Sequence, residues 1–140
     1  MGDLSPHFSR AEFTCHHCGT LPAGGVPTAL VHGLEALRAL AYPDGLMIES
    51  GYRCAAYNAT LAHAATGSQH LYAAAADIPL RAELGSVQAL HAFSGIGWQA
   101  AGRRRLVRHV DVRHASGHDP TASTTAHPAT WEYLADGSRR

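Results

Sequence analysis

The stretch Ser68-Gln69-His70-Leu71-Tyr72-Ala73-Ala74-Ala75-Ala76-Asp77 sets a histidine in a polar loop and, seven residues on, an aspartate inside an apolar run. Ala73 to Leu80 reads as a strand carrying Asp77 between Ala76 and Ile78, although alanine by itself prefers helix. A carboxylate at such a place is costly to bury unless a cation or hydrogen bonds compensate it. A second polar cluster lies at His109-Val110-Asp111-Val112-Arg113. Its alternation puts His109, Asp111 and Arg113 on one face of a strand.

His70, Asp77 and His109 together would suit Zn²⁺, which accepts imidazole nitrogen and carboxylate oxygen. Two histidines and one carboxylate leave a fourth tetrahedral position for water, the pattern of a catalytic zinc. Each piece also has a plainer reading. Asp77 can be a cap or a hydrogen-bonded residue, His70 a surface histidine, and the 109–113 stretch a solvated face.

The flanking sequence predicts the elements around this centre. Ser9 to Phe13 reads as a short helix, with Ser9 as N-cap and Glu12 at the capping-box spacing. Pro27 follows a Gly/Pro loop and suits a helix's first turn. Leu30, Val31, Leu34, Leu37 and Leu40 recur at helical spacing, so Thr28 to Ala41 is a helix whose apolar stripe is core. Pro43-Asp44-Gly45 is a turn. Leu46-Met47-Ile48 reads as a short buried strand and Ala55 to Ala64 as a second helix, broken at Thr66-Gly67-Ser68. Ser86 to Phe93 is a third helix. A strand begins at Gly95-Ile96-Gly97-Trp98, turns at Arg103 to Arg105 and returns as Leu106 to Arg113. Beyond His114 no period is visible; Trp131, Tyr133 and Leu134 are expected to anchor a last turn. The expectation is one α+β domain over residues 1–114, a small, mostly antiparallel central sheet with helices packed on it, and a partly irregular tail over 115–140.

The 140 residues are 46% hydrophobic, enough for one real core. Net formal charge is zero, which gives no electrostatic case for nucleic acid; Arg103-Arg104-Arg105 is read as a solvated turn. No apolar stretch approaches the ~20 residues that span a bilayer. Met1 to Arg10 has neither a basic n-region nor an apolar h-region, so no secretory signal peptide is visible. Histidine, with 11 residues, is the compositional outlier.

Ser50-Gly51-Tyr52-Arg53, Asn58, Ser68-x-His70, Ala75-x-Asp77, Gly95-Ile96-Gly97 and His109-Val110-Asp111-Val112-Arg113, in this order, resemble the zinc D-Ala-D-Ala carboxypeptidases, the M-fifteen metallopeptidases. His7-Phe8 and Glu12-Phe13 ahead of Cys15 resemble that family's N-terminal segment. The resemblance runs from about Leu4 to Arg113. It implies the small α+β fold shared with the hedgehog signalling domain, with His70, Asp77 and His109 as the Zn²⁺ ligands. It implies that Arg53 lies beside the metal and contacts substrate, where a guanidinium can grip a terminal carboxylate or stabilise an oxyanion; a structural salt bridge is the alternative. Ser68, Gln69 and Asn58 are expected to shape the loop and orient ligands, with Ser68 and Gln69 also touching substrate. The implied chemistry is metal-assisted hydrolysis of an amide in peptidoglycan stem peptides.

Two departures stand out. The family's acidic base, three residues before the last ligand, is Leu106 here, and a His-x-His variant would need histidine at Val107. Asp111 is the nearest acid by sequence and is assigned as the base; holding a ligand or Arg113 is its other reading. The glycine that the family carries after the first ligand is Ala73, tolerable if its φ is negative.

Cys15-His16-His17-Cys18 has the spacing of half a zinc knuckle, but no second pair with matching spacing follows. A disulfide from Cys15 or Cys18 to Cys54 is expected if the protein works outside the cytoplasm, and plain buried thiols are the other option. The leading expectation is a D,D-carboxypeptidase or related endopeptidase, phage endolysin-like and monomeric, made in the cytoplasm and acting at the periplasm or cell wall. The alternatives are a non-catalytic zinc-containing module that binds cell-wall peptides, and a zinc-ribbon nucleic-acid binder on Cys15 and Cys18. Neutral charge and the absence of a stacking aromatic array count against the last.

Overall fold

Helix α1 spans Thr28–Ala41, the range that the leucine spacing predicts. In the computed structural model, which describes residues 2–119 and 121–140, its Leu30, Leu34 and Leu37 are fully buried. Pro27 sits just ahead of the first turn. The N-terminal arm packs beside α1 through Phe8 and Phe13, both fully buried. A 3-10 helix, Arg10–Phe13, begins where the capping box predicts, and the Ser9 N–H donates to Glu12 Oε2 at 2.7 Å.

Glu35 of α1 pins this arm. Its Oε2 accepts from Ser5 Oγ at 2.6 Å and from the His7 N–H at 2.9 Å, while His7 Nδ1 lies 2.7 Å from Oε1. Burial would raise the Glu35 carboxyl, but the bonds from Ser5 and His7 outweigh it and lower the pKa from 4.5 to about 2. A carboxyl lowered by folding stabilises fully above its ordinary value and loses that contribution as pH falls through its folded one. Glu35→Gln is therefore expected to cost about 1 kcal/mol at neutral pH. The gap should close as pH drops from 4.5 towards about 2, read by urea denaturation across that range. A gap independent of pH would exclude the carboxylate charge as its source.

The sheet has four strands in the order β1-β3-β2-β4. Strands β1 (Ala75–Asp77), β2 (Gly95–Ala101) and β3 (Arg104–Asp111) pair antiparallel, β3 in the middle of the three. One sheet face, with Ala76, Ile78, Ile96, Val107 and Val110, joins Phe8, Phe13, α1 and Phe93 in the core. Alternate residues, among them Asp77, His109 and Asp111, face the other way, as the period-2 pattern requires. Helices α2 (Ala55–Thr60), α3 (Leu84–Ala89) and α4 (Arg113–Ser116) are short.

The structure departs from the sequence reading in several places. Leu46–Ile48 forms no strand; pairing falls at Ser50, which makes an isolated bridge to Asp77, and Met47 is exposed. The expected strand over 73–80 shrinks to β1, since Ala73 still belongs to a tight turn and Pro79 lacks a ladder donor. Helix α2 stops at Thr60, and α3 lies earlier than expected. The largest difference is in the tail. Ala129–Tyr133 is strand β4, parallel to β2 with Gly97 opposite Trp131. Thr130, Trp131 and Tyr133 have strong β preference, but five residues after an aperiodic stretch are too few to reveal a strand. No helix among the described residues is long and apolar enough to cross a membrane.

Candidate metal centre

Asp77 and His109 are Cα partners in the β1–β3 ladder, so strand register alone brings them together. His70 arrives from a 3-10 helix, Gln69–Tyr72, on the way into β1. Ser68 Oγ accepts the His70 N–H at 3.2 Å and starts that turn. Ala73 ends it at φ 53° and ψ 23°, the left-handed region. The condition under which alanine is readily tolerated, a negative φ, is not met: the chain reverses here to place His70 over β1, and alanine bears roughly 1–2 kcal/mol of strain to do so.

The three side chains converge through defined atoms. Asp77 Oδ1 lies 3.2 Å from His70 Nε2 and 3.2 Å from His109 Nδ1. The His70 Nδ1–H donates to the Gly51 carbonyl at 2.6 Å, which leaves the Nε2 lone pair for the centre. The His109 Nε2–H donates to Asp111 Oδ2 at 2.8 Å, which leaves Nδ1 for the centre. All three donor atoms lie within 4.8 Å of one another. Tetrahedral zinc with bonds of about 2.0–2.2 Å sets its ligand atoms roughly 3.2–3.6 Å apart. The donor set and its spacing fit that ion.

The electrostatics of the group centre on an ionised Asp77 and on a proton on His109 that a bound cation would displace. Burial would raise the Asp77 carboxyl, yet His70 and His109 reverse this and hold it well below the usual carboxylate range. Burial pushes the His70 imidazole down against the pull of Asp77. Burial also opposes a charge on His109, but Tyr133, Asp111 and Asp77 outweigh it and raise that imidazole to about 10. Asp77 Oδ2 accepts from Arg53 Nη2 at 2.9 Å, so the carboxylate is fixed on both oxygens.

The sequence model of the family described as Peptidase M15 matches residues 6–112. The chain belongs to the peptidase M15 family. This places it among zinc peptidases, and His70, Asp77 and His109 form a group that could hold a metal ion. No curated protein matches the sequence.

Within this M15 peptidase, the remaining candidate residues divide. Arg53 lies beside the centre, also 3.3 Å from Asn58 Oδ1 and 3.4 Å from Ser50 Oγ. Asp111 is not placed as a base. It is fully buried on the far side of the His109 ring and tied to Arg113 by two side-chain bonds of 2.9 and 2.8 Å. Burial opposes its charge, but Arg113 and His109 hold its pKa far below the carboxylate range. Ser68 and Gln69 are not placed on the cavity either. The Ser68 hydroxyl is used by the turn, and Gln69 Nε2 donates to the His118 carbonyl at 2.9 Å. Leu106 and Val107 are buried. Gly95 and Gly97 of β2 make room: a Cβ on Gly95 would strike the Asp111 carboxylate, and one on Gly97 would strike Trp131 and Tyr133.

A cavity of about 230 Å³ opens on the three ligands. Arg53, His63, Arg108, Tyr133 and Arg139 also line it. Sequence reasoning missed the last four. Arg108 is the extra residue of a bulge, since Gly97 pairs with His109 and Trp98 with Val107; the bulge breaks strict alternation beside the site. Tyr133 and Arg139 belong to the tail. The signal available for them was the Trp131-x-Tyr133 spacing. His63 gave none.

Proposed function

We propose that this chain is a zinc-dependent peptidoglycan peptidase of the D,D-carboxypeptidase type, acting on the carboxylate end of stem peptides. The observation that carries this is the cavity over His70, Asp77 and His109, lined by Arg53, Arg108 and Arg139. Its volume falls below the roughly 300–1,000 Å³ of drug-sized ligand sites, which favours a peptide terminus over an extended chain. Three guanidiniums in a small cleft favour an anionic group. Arg108 lies 4.4 Å from the Tyr133 ring centre, and Arg139 lies 4.7 Å from that of Trp131. These aromatic faces hold the two cations in the cavity wall.

His70 Nε2, Asp77 Oδ1 and His109 Nδ1 would hold the zinc, which supplies Lewis acidity and lowers the pKa of water when bound. Arg53 fixes Asp77 Oδ2. Three of its five N–H groups face Asp77, Asn58 and Ser50, and the others remain for a substrate oxygen. Asp111 orients His109 and sets its tautomer, so its role in this reading is positioning. The proton acceptor is His63, the imidazole that lines the cavity without belonging to the ligand group. The enzyme acts as a monomer at the periplasm or cell wall.

The test is release of D-Ala from a cell-wall pentapeptide by zinc-loaded protein. His63→Ala is expected to lower kcat by about 10²–10⁴ with zinc content unchanged; an unchanged kcat would remove His63 from the mechanism. A second reading, a non-catalytic module that binds cell-wall peptides, draws support from one fact. Among the described residues, Asp77 is the only carboxylate that lines the cavity, and it is committed to Arg53 and the histidines. Stoichiometric zinc and peptide binding without any D-Ala release would favour that module.

A further inference from the structure

The three cysteines meet in space as free thiols. Cys15, Cys18 and Cys54 have sulfurs within 4.8 Å of one another, in a cluster that shares no residue with the first centre. Cys15 and Cys18 lie on a tight loop closed by the Gly19 N–H on the Cys15 carbonyl at 2.8 Å. Gly19 takes φ 68°, which L side chains rarely adopt, and this turn keeps the exposed Cys18 sulfur beside the buried Cys15 sulfur. Cys54 approaches from the start of α2. His17 Nδ1 lies 3.6 Å from Cys54 Sγ but outside the mutual spacing of the three sulfurs, with the ring stacked on Tyr57, so a small turn of the imidazole would bring it in as a fourth ligand.

Backbone amides converge on these sulfurs. The N–H groups of His17 and Cys54 donate to Cys15 Sγ at 3.4 Å each, and the Tyr57 N–H donates to Cys54 Sγ at 3.4 Å. Such donors favour sulfur that carries negative charge, as a metal-bound thiolate does. Three thiolates and one imidazole are a closed structural zinc set, without an open position for chemistry. A disulfide would use two of the sulfurs and leave the third beside it.

We propose that Cys15, Cys18, Cys54 and His17 form a second, structural zinc site. Sequence spacing hides it because its second half is one distant cysteine plus a histidine lying within the first pair. The site ties the N-terminal arm to the segment that ends in Arg53. The Tyr52 N–H donates to the Phe13 carbonyl at 2.8 Å and the Arg53 N–H to the His70 carbonyl at 3.0 Å, so the same segment bridges both centres. Zinc on Cys54 would hold Arg53 in place over Asp77.

The sulfur donors make the test independent of the first centre, which has none. Cobalt(II)-loaded wild type is expected to show a near-ultraviolet sulfur-to-cobalt charge-transfer band. That band should persist in His70→Ala and vanish in Cys18→Ser. On unmodified zinc-loaded protein, titrating the thiols with a mercurial should release one zinc per chain and leave the other bound. These measurements on wild type do not depend on the variants folding. Absence of the sulfur-to-cobalt band, thiol modification with no zinc released, or a native mass lower by the two hydrogens of a disulfide would each overturn the proposal.

Discussion

Asp77→Ala is expected to empty the first centre of metal and to abolish peptide hydrolysis. Asp77 is the hub: one oxygen faces both imidazoles and the other holds Arg53. Without it, the imidazoles and the Arg53 guanidinium face the cavity with no carboxylate ligand between them, and Asp111 lies behind the His109 ring, so a cation loses its anionic partner. The loss of metal affinity should exceed the roughly 10–100-fold that outer partners of a metal site cost. Stripping the partner from a largely buried Arg53 also destabilises the fold, by about 3–5 kcal/mol if the charge stays buried. Asp77→Asn separates the two effects. It keeps the shape and a hydrogen bond to Arg53, so it should fold yet still fail to retain zinc through dialysis. Metal analysis by mass spectrometry reads the first outcome and thermal denaturation the second. Retention of zinc by a folded Asp77→Asn variant would remove the carboxylate from the ligand set.

Asp111→Asn carries the second large effect, and it discriminates between two roles. As an orienting partner, the carboxylate fixes the His109 tautomer and ring. Its loss should weaken zinc binding about 10–100-fold, with kcat recovered at excess zinc. As a general base, its loss would leave zinc binding intact and kcat low at every zinc concentration. The position behind the ring, with Arg113 on both carboxylate oxygens, predicts the first pattern. Asp111→Ala should add a stability loss of about 3–5 kcal/mol, because Arg113 and His109 lose a buried partner. Zinc titration of activity and of intrinsic stability reads both. Low activity that excess zinc fails to restore would return Asp111 to the role of base.

The sequence made α1 and the centre of the sheet legible because both obey simple periods. Leucines at helical spacing gave Thr28–Ala41, and alternation at 109–113 put His109 and Asp111 on one face. His70, Asp77 and His109 do meet, as their chemistry suggested. What alternation could not give was direction around a ring. His109 turns Nδ1 to the centre and Nε2 to Asp111, so an acid two residues away lies behind the ligand. The cavity walls were hidden for a different reason. Arg108 depends on a bulge, Tyr133 and Arg139 on a strand in a low-period tail, and His63 on a backbone at φ 63° in the loop after α2. Ala73 shows the limit of local rules, since tertiary placement of His70 overrides alanine's dislike of the left-handed region.

The most direct measurement is a crystal structure of zinc-loaded protein with anomalous diffraction recorded on both sides of the zinc edge. The account predicts a peak about 2.0–2.2 Å from His70 Nε2, Asp77 Oδ1 and His109 Nδ1 together. No peak among these three atoms, or an ion held instead by His70 Nδ1 or His109 Nε2, would contradict it.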